Sequence, residues 1–331
     1  MTMIKIAFAG FRHGHINALY KLAEQNPDVQ IVAAYEADAD ARAAAEADLG
    51  VNFAHDSYED MLNEEDIDVV AIGDYYGKRG SLAIDALKAG KHVYADKPLC
   101  TSLDELDEIE RLSREKALKV GCMLDMRQNK VVQPVRNFIQ EGNLGEIHAL
   151  FFSGQHPLMY GSRPDWYFEK GKHGGTINDI AIHGMDIVEY LTGLSMKSVT
   201  SARCWNAFAT EVPHFKDCAQ FMVELSNGAG LMGDVSYSAP NSSGYSLPFY
   251  WRFTIWGTKG VMEFTAGAKE IMVALDGKPK AELIPVPDAD TGDCLRVFVD
   301  ELEGKDTYIN TVSVIRATRD TLKIQAFADK N

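Results

Sequence analysis

The chain has 331 residues, 46% hydrophobic and 24% charged, which is ordinary for a soluble globular protein and long enough for two domains. Lys and Arg total 33 against 48 Asp and Glu, a formal net charge of −15. This excess of negative charge repels nucleic acid and anionic membranes, so we expect neither as a partner.

The sequence indicates a cytoplasmic protein. No apolar run has the length of a membrane-spanning helix, and residues 1–6 enter a strand-like segment without the features of a signal peptide. The five cysteines are scattered and never form a C-x-x-C pair. We therefore expect reduced thiols, with neither a disulfide framework nor a zinc site.

In residues 1–122, short β-type runs alternate with amphipathic helical patterns. Strands are predicted at 4–9, 29–35, 69–72, 92–95 and 119–122, with a weaker candidate at 51–54, and helices at 15–24, 40–48, 80–89 and 103–115. Thr101-Ser102 followed by Glu105 is a capping pattern for the last helix. Apolar strands separated by amphipathic helices predict an α/β domain with a parallel, doubly wound sheet.

Residues 123–331 have a different pattern. A helix is predicted at 132–141, β-type runs at 147–154, 198–204, 218–225, 229–238, 251–256 and 261–264, and a final helix at 312–327. The pattern predicts an α+β domain with a large, mostly antiparallel open sheet. Because an open sheet seldom leaves a broad apolar face in water, we expect a second subunit there, in a homodimer or homotetramer.

The first predicted strand leads through a turn into a helix, as in a dinucleotide-binding fold. The turn reads Gly10-Phe11-Arg12-His13-Gly14-His15, whereas a G-x-G-x-x-G motif has glycine at the places of residues 12 and 15. Gly10 can make the tight turn, and Gly14 can let the backbone approach a pyrophosphate at the helix N-terminus. All six residues are predicted cofactor contacts, with an ordinary strand–helix turn as the alternative.

Glu36 ends the second predicted strand. A carboxylate there accepts hydrogen bonds from the ribose hydroxyls and repels a 2′-phosphate, which favours NAD over NADP. The alternative is an exposed loop glutamate beside Asp38 and Asp40.

A third pattern lies between residues 174 and 188. Apolar residues at 177, 180, 182, 185, 187 and 188 predict a mostly buried helix that carries Asp179, His183 and Asp186 on one face. A paired Asp and His facing a cleft can act as a general base. The alternative is a buried histidine satisfied by a carboxylate, without chemistry.

Two segments resemble motifs of the Gfo/Idh/MocA oxidoreductases, the glucose–fructose oxidoreductase and inositol dehydrogenase family. Residues 89–98, AGKHVYADKP, resemble A-G-K-H-V-x-x-E-K-P, and residues 174–186 resemble G-G-G-x-x-x-D-x-x-x-H-x-x-D. The resemblance covers essentially the whole chain. It implies a Rossmann domain over 1–122 that binds NAD or NADP, and a domain over 123–331 that binds substrate and forms dimers or tetramers.

The resemblance also implies roles for individual residues. In the family's dehydrogenases, the Lys of the first motif and the Asp and His of the second line the substrate pocket beside the nicotinamide; here these are Lys97, Asp179 and His183. The Lys97–Pro98 bond is expected to be cis, because it often is in the family.

Departures from the family pattern fall in the loops of the first domain. The Glu before the motif lysine is replaced by Asp96, and the family's A-T-P-N-x-x-H stretch is replaced by residues 73–79. Within these segments, the predicted cofactor contacts are Asp74, Tyr75, Arg79, Asp96 and Lys97.

The predicted reaction is hydride transfer between NAD, less readily NADP, and a secondary alcohol of a sugar, polyol or sugar acid. His183 is the candidate base because imidazole titrates near neutral pH, and Asp179 would orient it. Lys97 would stabilise the developing alkoxide charge, or act as the base itself if burial lowered its pKa. The sequence leaves open which of the two residues is the base.

Substrate contacts are predicted in the loop 156–167, because aromatic faces with polar donors suit a carbohydrate. The predicted substrate contacts are Arg127, His156, Tyr160, Arg163, Trp166, Asp179 and His183. The two arginines could hold a carboxylate or phosphate. The alternative for Trp166 is packing beneath the loop.

Three other functions remain open. A metal enzyme would need ligands beyond Asp179, His183 and Asp186; no further His/Cys cluster supplies them, so no metal is expected. An NAD-dependent lyase or glycosidase that uses transient oxidation would need the same residues. A non-catalytic ligand sensor is the third, favoured by the altered glycine turn and disfavoured by the intact Lys97 and His183.

Overall fold

The computed structural model describes residues 3–63 and 66–330, so the outermost residues of both predicted domains lie outside it. The chain forms two compact units. The first contains the residues up to Leu124, with Gly171–Gly174 and Gly292–Arg319. The second contains Asp125–Lys170, Gly175–Thr291 and the residues from Asp320 onward.

The first unit contains a five-stranded sheet with the order β2-β1-β3-β4-β5. Its strands are β1 (Ile4–Ala9), β2 (Val29–Tyr35), β3 (Val69–Ile72), β4 (His92–Ala95) and β5 (Val120–Cys122). All neighbouring strands pair in parallel, and β3 consists entirely of buried residues, as expected for a strand covered on both faces. The predicted parallel, doubly wound sheet is confirmed.

Helices α1 to α5 connect these strands. They are α1 (Gly14–Gln25), α2 (Ala39–Leu49), α3 (Tyr58–Leu62), α4 (Tyr76–Lys88) and α5 (Leu103–Lys116). The predicted cap of α5 is confirmed: Ser102 Oγ accepts the Glu105 N–H at 3.2 Å, and Glu105 accepts the Thr101 N–H at 3.3 Å.

Two predictions in the first unit are wrong. Residues 51–54, all within the described part of the chain, do not form a strand; Val51 is the one buried residue among them, so the segment has little to pack against the sheet. Helix α4 begins at Tyr76 rather than at residue 80. Its first turn buries Tyr76 and Arg79, and because an arginine is not expected in the core, the sequence pattern placed the start of the helix too late.

The second unit is built on an eight-stranded sheet with the order β13-β12-β11-β10-β6-β9-β8-β7. Its strands are β6 (Ile147–Pro157), β7 (Met196–Trp205), β8 (Cys218–Leu225), β9 (Gly230–Ala239), β10 (Arg252–Gly257), β11 (Gly260–Thr265), β12 (Glu270–Leu275) and β13 (Glu282–Pro285). Neighbours are antiparallel except β6 and β9, which are parallel. The predicted large, mostly antiparallel sheet is confirmed, although β12 and β13 were not predicted.

Helices cover one face of this sheet. They are α6 (Val132–Gln140) and α7 (Ile182–Thr192), the latter preceded by a π-helical turn at Ile177–Ala181. Gly184 of α7 lies so close to β6 that an added Cβ would meet the Phe152 ring at 2.3 Å. Glycine at this position therefore allows α7 to pack directly on the sheet.

The other face of the sheet carries an apolar row. The strand register places the residues of this row opposite one another on neighbouring strands, so their side chains lie on the same face of the sheet. Its apolar members are Met222, Met232, Phe151, Met272 and Leu283, with Thr254 and Glu263 between Phe151 and Met272; the four apolar members other than Phe151 are 41–59% exposed.

Two helices complete the chain: α8 (Cys294–Leu302), which was not predicted, and α9 (Thr311–Ala328). Helix α8 joins the core of the first unit, where Phe298 lies 4.8 Å from Tyr94 between ring centroids. Among residues 3–63 and 66–330, no helix is both long and apolar enough to span a membrane.

Candidate active site

The turn between β1 and α1 leads into the N-terminus of helix α1. Gly10 has φ +86°, and an added Cβ would lie 2.5 Å from the Asp74 backbone nitrogen. The N–H groups of Arg12 and His13 donate to Gly73 O, which ties the turn to the end of β3. Helix α1 starts at Gly14, where a Cβ would meet no described atom within 4 Å. The backbone thus leaves room for a phosphate at the helix N-terminus, where first-turn N–H groups favour an anion.

Glu36 links the end of β2 to this turn. It is 1% exposed; Oε2 accepts the Phe11 N–H at 2.5 Å, and Oε1 accepts the Asp38 N–H at 2.8 Å. Burial raises the pKa of Glu36, partly offset by these two backbone donors. The alternative of an exposed loop glutamate is therefore wrong.

Asp96, which follows β4, is the centre of a buried polar cluster. Its Oδ2 lies 2.5 Å from His13 Nδ1 and 2.9 Å from Arg79 Nη2, and its Oδ1 lies 3.1 Å from His15 Nδ1. Burial alone would raise the pKa of Asp96, but Arg79 and the two histidines outweigh it and hold the pKa well below its usual range. Asp96 is therefore an anion in the folded protein.

Burial lowers the pKa of His13 to about 4 despite the nearby Asp96 carboxylate. A neutral His13 satisfies the cluster by donating Nδ1–H to Asp96. His13, His15 and Asp96 also place three possible metal-ligand atoms within 4.8 Å of one another. The Arg79 guanidinium on the same carboxylate and the N-terminus of α1 both disfavour a cation at this place.

Arg79 is completely buried, and its guanidinium forms hydrogen bonds with other groups of the protein. Nε donates to Asp74 O at 2.7 Å, and Nη1 donates to Lys97 O at 2.6 Å and Pro98 O at 3.3 Å. The Lys97–Pro98 bond is cis, as expected, and Lys97 is 2% exposed. Arg79, which we expected to contact the cofactor, thus holds the loops after β3 and β4 together.

Asp74 and Tyr75 form the turn before α4. Asp74 Oδ1 accepts the Tyr75 N–H at 2.7 Å, and burial raises the pKa of Asp74. The Tyr75 ring has two cations near its face, Lys172 Nζ at 5.0 Å and Arg12 Cζ at 5.9 Å from its centroid.

In the second unit, Asp179 lies in the π-helical turn before α7 and is almost completely buried. Its Oδ2 accepts a hydrogen bond from the Tyr237 hydroxyl. Burial, followed by the nearby Asp179 carboxylate, holds the pKa of Tyr237 well above its usual range, so the hydroxyl stays protonated and can donate. π-Helical turns are frequent at functional sites.

His183 and Asp186 have other neighbours. The Nδ1 of His183 lies 3.9 Å from Asp125 Oδ1, and its ring centroid lies 5.7 Å from that of Trp251. Asp186 accepts two hydrogen bonds from Arg127, at 2.8 and 2.5 Å. Arg127, a predicted substrate contact, thus belongs to a buried ion pair.

The loop after β6 combines packed and exposed side chains. Trp166 is buried, and its ring centroid lies 4.1 Å from that of the stacked Tyr167 ring. This agrees with the alternative that Trp166 packs beneath the loop. His156 Nε2 lies 3.1 Å from the Tyr250 hydroxyl, and Tyr160 is about half exposed. Arg163 lies over the Tyr237 ring at 5.2 Å.

Sequence reasoning missed Asp125 and Tyr237. Asp125 comes three residues after the end of β5, and a carboxylate near the carboxyl end of a parallel strand was an available signal. Tyr237 lies within β9, where an aromatic residue reads as ordinary core.

Comparisons with known proteins agree in both units. Residues 4–123 match the family described as oxidoreductase family, NAD-binding Rossmann fold, and residues 132–263 match the GFO/IDH/MocA C-terminal domain.

Levoglucosan dehydrogenase of Pseudarthrobacter phenanthrenivorans is 29% identical over 47% of this chain and 42% of its own length. Myo-inositol 2-dehydrogenase of Thermotoga maritima is 23% identical over 69% and 65%. The oxidoreductase YrbE of Bacillus subtilis is 24% identical over 63% and 59%. The matches thus span 42–65% of the length of these relatives.

Two solved structures share the fold over almost the whole chain. Levoglucosan dehydrogenase in complex with NADH and L-sorbose superposes with a TM-score of 0.82 at 20% identity, covering 100% of this chain and 98% of that one. An NAD-binding protein from Listeria innocua superposes with 0.79 at 22% identity, covering 100% and 96%. With matches in both domains, the chain belongs to the Gfo/Idh/MocA family.

Proposed function

We propose that the protein is an NAD-dependent dehydrogenase acting on a secondary alcohol of a sugar, polyol or sugar acid. The observation that carries the proposal is the buried Lys97 at the carboxyl edge of the parallel sheet, where open α/β sheets bind their ligands. Burying an ammonium group is costly, and a lysine placed next to a ligand site is suited to stabilise developing negative charge.

The first unit would hold the cofactor. The open helix N-terminus at Gly14 would take the pyrophosphate, and when bound, NAD supplies the hydride-accepting nicotinamide. Gly10 fits this role because its Cβ-free backbone packs on Asp74. The cluster around Asp96 would fix the loops beside it.

We assign one role to each candidate catalytic residue. His183 takes the proton of the substrate hydroxyl at an imidazole nitrogen. Lys97 donates a hydrogen bond from Nζ to the oxygen as charge develops on it. Asp179, held by the Tyr237 hydroxyl, supplies a fixed carboxylate to the substrate hydroxyls.

Side chains of the second unit support the proposed substrate class. Aromatic rings of Tyr237, Tyr250 and Trp251 surround His156, and Arg163 lies over Tyr237. Aromatic faces with a few polar groups suit a polyhydroxylated ligand. Relatives named as levoglucosan, D-xylose and myo-inositol dehydrogenases support the same class.

We further propose a homo-oligomer in which a second copy of the chain covers the apolar row. The row lies on both sides of Thr254 and Glu263, four of its apolar members are exposed, and a broad apolar face is seldom left in water.

The proposed activity is tested with a panel of sugars, inositols and sugar acids, using NAD and NADP and the absorbance of reduced nicotinamide. We expect turnover of at least one polyhydroxylated compound. His183→Ala and Lys97→Ala should each lower kcat about 100-fold or more, the usual contribution of acid–base and charge-stabilising groups. His148→Ala on the exposed side of β6 is the control. Wild-type turnover in both variants would contradict the mechanism.

A further inference from the structure

We propose that Arg163 binds a carboxylate of the substrate, so that the preferred substrate is a sugar acid rather than a neutral sugar or polyol. The inference rests on the proposed function and narrows its substrate class. Arg127 and Arg163 are the two arginines that the sequence offers for an acidic group. Arg127 is already occupied, because both of its printed partners are oxygens of the buried Asp186. Arg163 is the arginine that stays available to a ligand.

Arg163 uses one edge of its guanidinium within the protein. Nε donates to Leu158 O at 3.0 Å, and Nη2 donates to Pro157 O at 2.8 Å. Within residues 3–63 and 66–330, Nη1 donates to no acceptor. The N–H groups at the end of the guanidinium, one on each terminal nitrogen, are thus left over. This end of the planar group is the one that binds a carboxylate through two parallel hydrogen bonds.

The charge of Arg163 is not balanced by an ion pair. No carboxylate of the described part of the chain pairs with it, and its backbone partners are neutral carbonyl groups. The ring centroids of Tyr167 and Tyr237 lie 4.5 and 5.2 Å from Cζ. Such rings stabilise a cation by about 0.5–2 kcal/mol, which is less than a partly buried charge loses on leaving water. A substrate carboxylate would supply the counter-charge.

Arg163 also lies near the proposed substrate-binding carboxylate of the second unit. Tyr237, whose ring it covers, donates its hydroxyl to Asp179 Oδ2. Burial lowers the pKa of Arg163, but the charges of nearby tyrosines and of Asp179 outweigh burial and raise the pKa. The guanidinium therefore stays charged beside Asp179. In the proposal, Arg163 holds the acidic end of the substrate and Asp179 accepts hydrogen bonds from its hydroxyls.

The charge balance favours a carboxylate over a phosphate. A carboxylate brings one negative charge, which the Arg163 guanidinium balances. A phosphate monoester brings about −1.5 to −2 charges at pH 7 and would leave negative charge uncompensated near Asp179. The net charge of −15 repels anions in general, so even a carboxylate needs a local cation to be held.

Steady-state kinetics with NAD test the proposal on pairs of compounds that differ at one carbon. The pairs are D-glucuronate with D-glucose, D-galacturonate with D-galactose, and D-gluconate with D-sorbitol, and D-glucose 6-phosphate tests a phosphate. We expect the full-length wild type to use at least one acid with a kcat/KM about 10-fold or more above that of its neutral partner, as for hydrogen bonds to a charged group. The phosphate should be a poorer substrate than this acid.

Arg163→Gln removes the charge. It should raise the KM for the acid by about 10-fold or more and change the kcat/KM of the neutral partner by less than about threefold. Loss of the bonds to the loop backbone affects both members of a pair, so the acid:neutral ratio isolates the effect of the charge. Arg163→Lys should keep part of the preference. Arg203→Gln is the matched control, because Arg203 is exposed and lies over the Trp205 ring at 5.4 Å, and it should leave the ratio unchanged.

A second measurement needs no variant. Because an ion pair that a ligand forms is screened by salt, the KM of the wild type for the acid should rise with ionic strength, whereas the KM for the neutral partner should not.

The outcomes are distinguishable. A wild type that prefers the neutral member of every pair or the phosphate overturns the inference and leaves the proposed function standing. So does an acid KM that does not respond to salt, or an Arg163→Gln variant that keeps the wild-type acid:neutral ratio. A folded wild type that reduces neither NAD nor NADP with any sugar, polyol or sugar acid overturns the proposed function itself.

Discussion

Arg79 and Asp96 form an ion pair with no solvent exposure on either side chain, and the N–O distance is 2.9 Å. The same guanidinium donates to the carbonyl oxygens of Asp74, Lys97 and Pro98, so one side chain joins the loops that follow β3 and β4. Arg79 therefore places Lys97 by hydrogen-bonding to its backbone.

Removing Arg79 should destabilise the first unit strongly. Arg79→Met leaves the Asp96 carboxylate buried without its main counter-charge, and breaking a buried pair in this way costs about 3–5 kcal/mol. Arg79→Lys should also lose about 2 kcal/mol or more, because one ammonium cannot replace a planar fork that binds four groups. Urea unfolding measures both, with the exposed Arg111→Lys as a control expected to unfold like the wild type. A near-wild-type stability of Arg79→Met would contradict this account.

The stability should fall between about pH 6.5 and pH 4 because of His13. Its pKa is about 4 when folded and about 6.5 in an unfolded chain. In this interval the unfolded chain binds a proton that folded His13 does not, so the free energy of unfolding decreases as the pH decreases, by at most about 3 kcal/mol. Asp96 contributes little to the loss of stability in this pH interval. Because its pKa is depressed, its own contribution to stability is lost only at lower pH.

The measurement is urea unfolding at several pH values for the wild type and His13→Gln. Glutamine can still donate to Asp96 but does not titrate, so the variant should lose much less stability between pH 7 and pH 5 than the wild type. His148→Gln, at an exposed position, should keep the wild-type dependence. Equal slopes for wild type and His13→Gln would show that His13 is not the group responsible.

Most of the fold could be predicted from local patterns. Buried parallel strands such as β3 are continuous apolar runs, and amphipathic helices such as α5 carry recognisable caps. The missed strands β12 and β13 lie at one edge of the sheet. Strand β13 has only four residues and is mostly exposed, whereas β12, with the sequence EIMVAL and alternating exposed and buried residues, did carry a strand signal. Helix α8 is nine residues long and carried a local signal, because Asp293 caps it by accepting the Arg296 N–H at 2.9 Å; its packing of Phe298 against Tyr94 could not be read from the sequence.

The motifs identified which site residues to consider, but not their partners. Asp96 and Arg79 are 17 residues apart, and Asp179 and Tyr237 are 58 apart, so each pair is brought together only by the fold. The sequence also predicted one face for Asp179, His183 and Asp186. The structure places Asp179 in a π-helical turn, where the extra residue changes the angular spacing, and Asp186 in the regular helix α7, where it pairs with Arg127.

Charges introduced into the apolar row should dissociate the proposed oligomer. Met232→Glu combined with Met272→Glu places two carboxylates on strands β9 and β12 of the exposed face. Analytical ultracentrifugation should find the wild type as a dimer or tetramer and the variant as a 36.6 kDa monomer. Val312→Glu introduces a charge at an exposed apolar residue of α9 and should leave the assembly intact. A monomeric wild type at micromolar concentration would contradict the proposal.

Tyr237→Phe should slow catalysis while leaving the fold intact. The change removes the hydroxyl that donates to Asp179, and a buried hydrogen bond to a charged group contributes about 1.5–3 kcal/mol, or roughly 10–100-fold in kcat if it orients the carboxylate during turnover. Tyr58→Phe is the matched control, since it removes a hydroxyl that donates to Leu82 O in the first unit and should leave kcat unchanged. If Tyr237→Phe and Tyr58→Phe have the same kcat as the wild type, Tyr237 does not position Asp179 for catalysis.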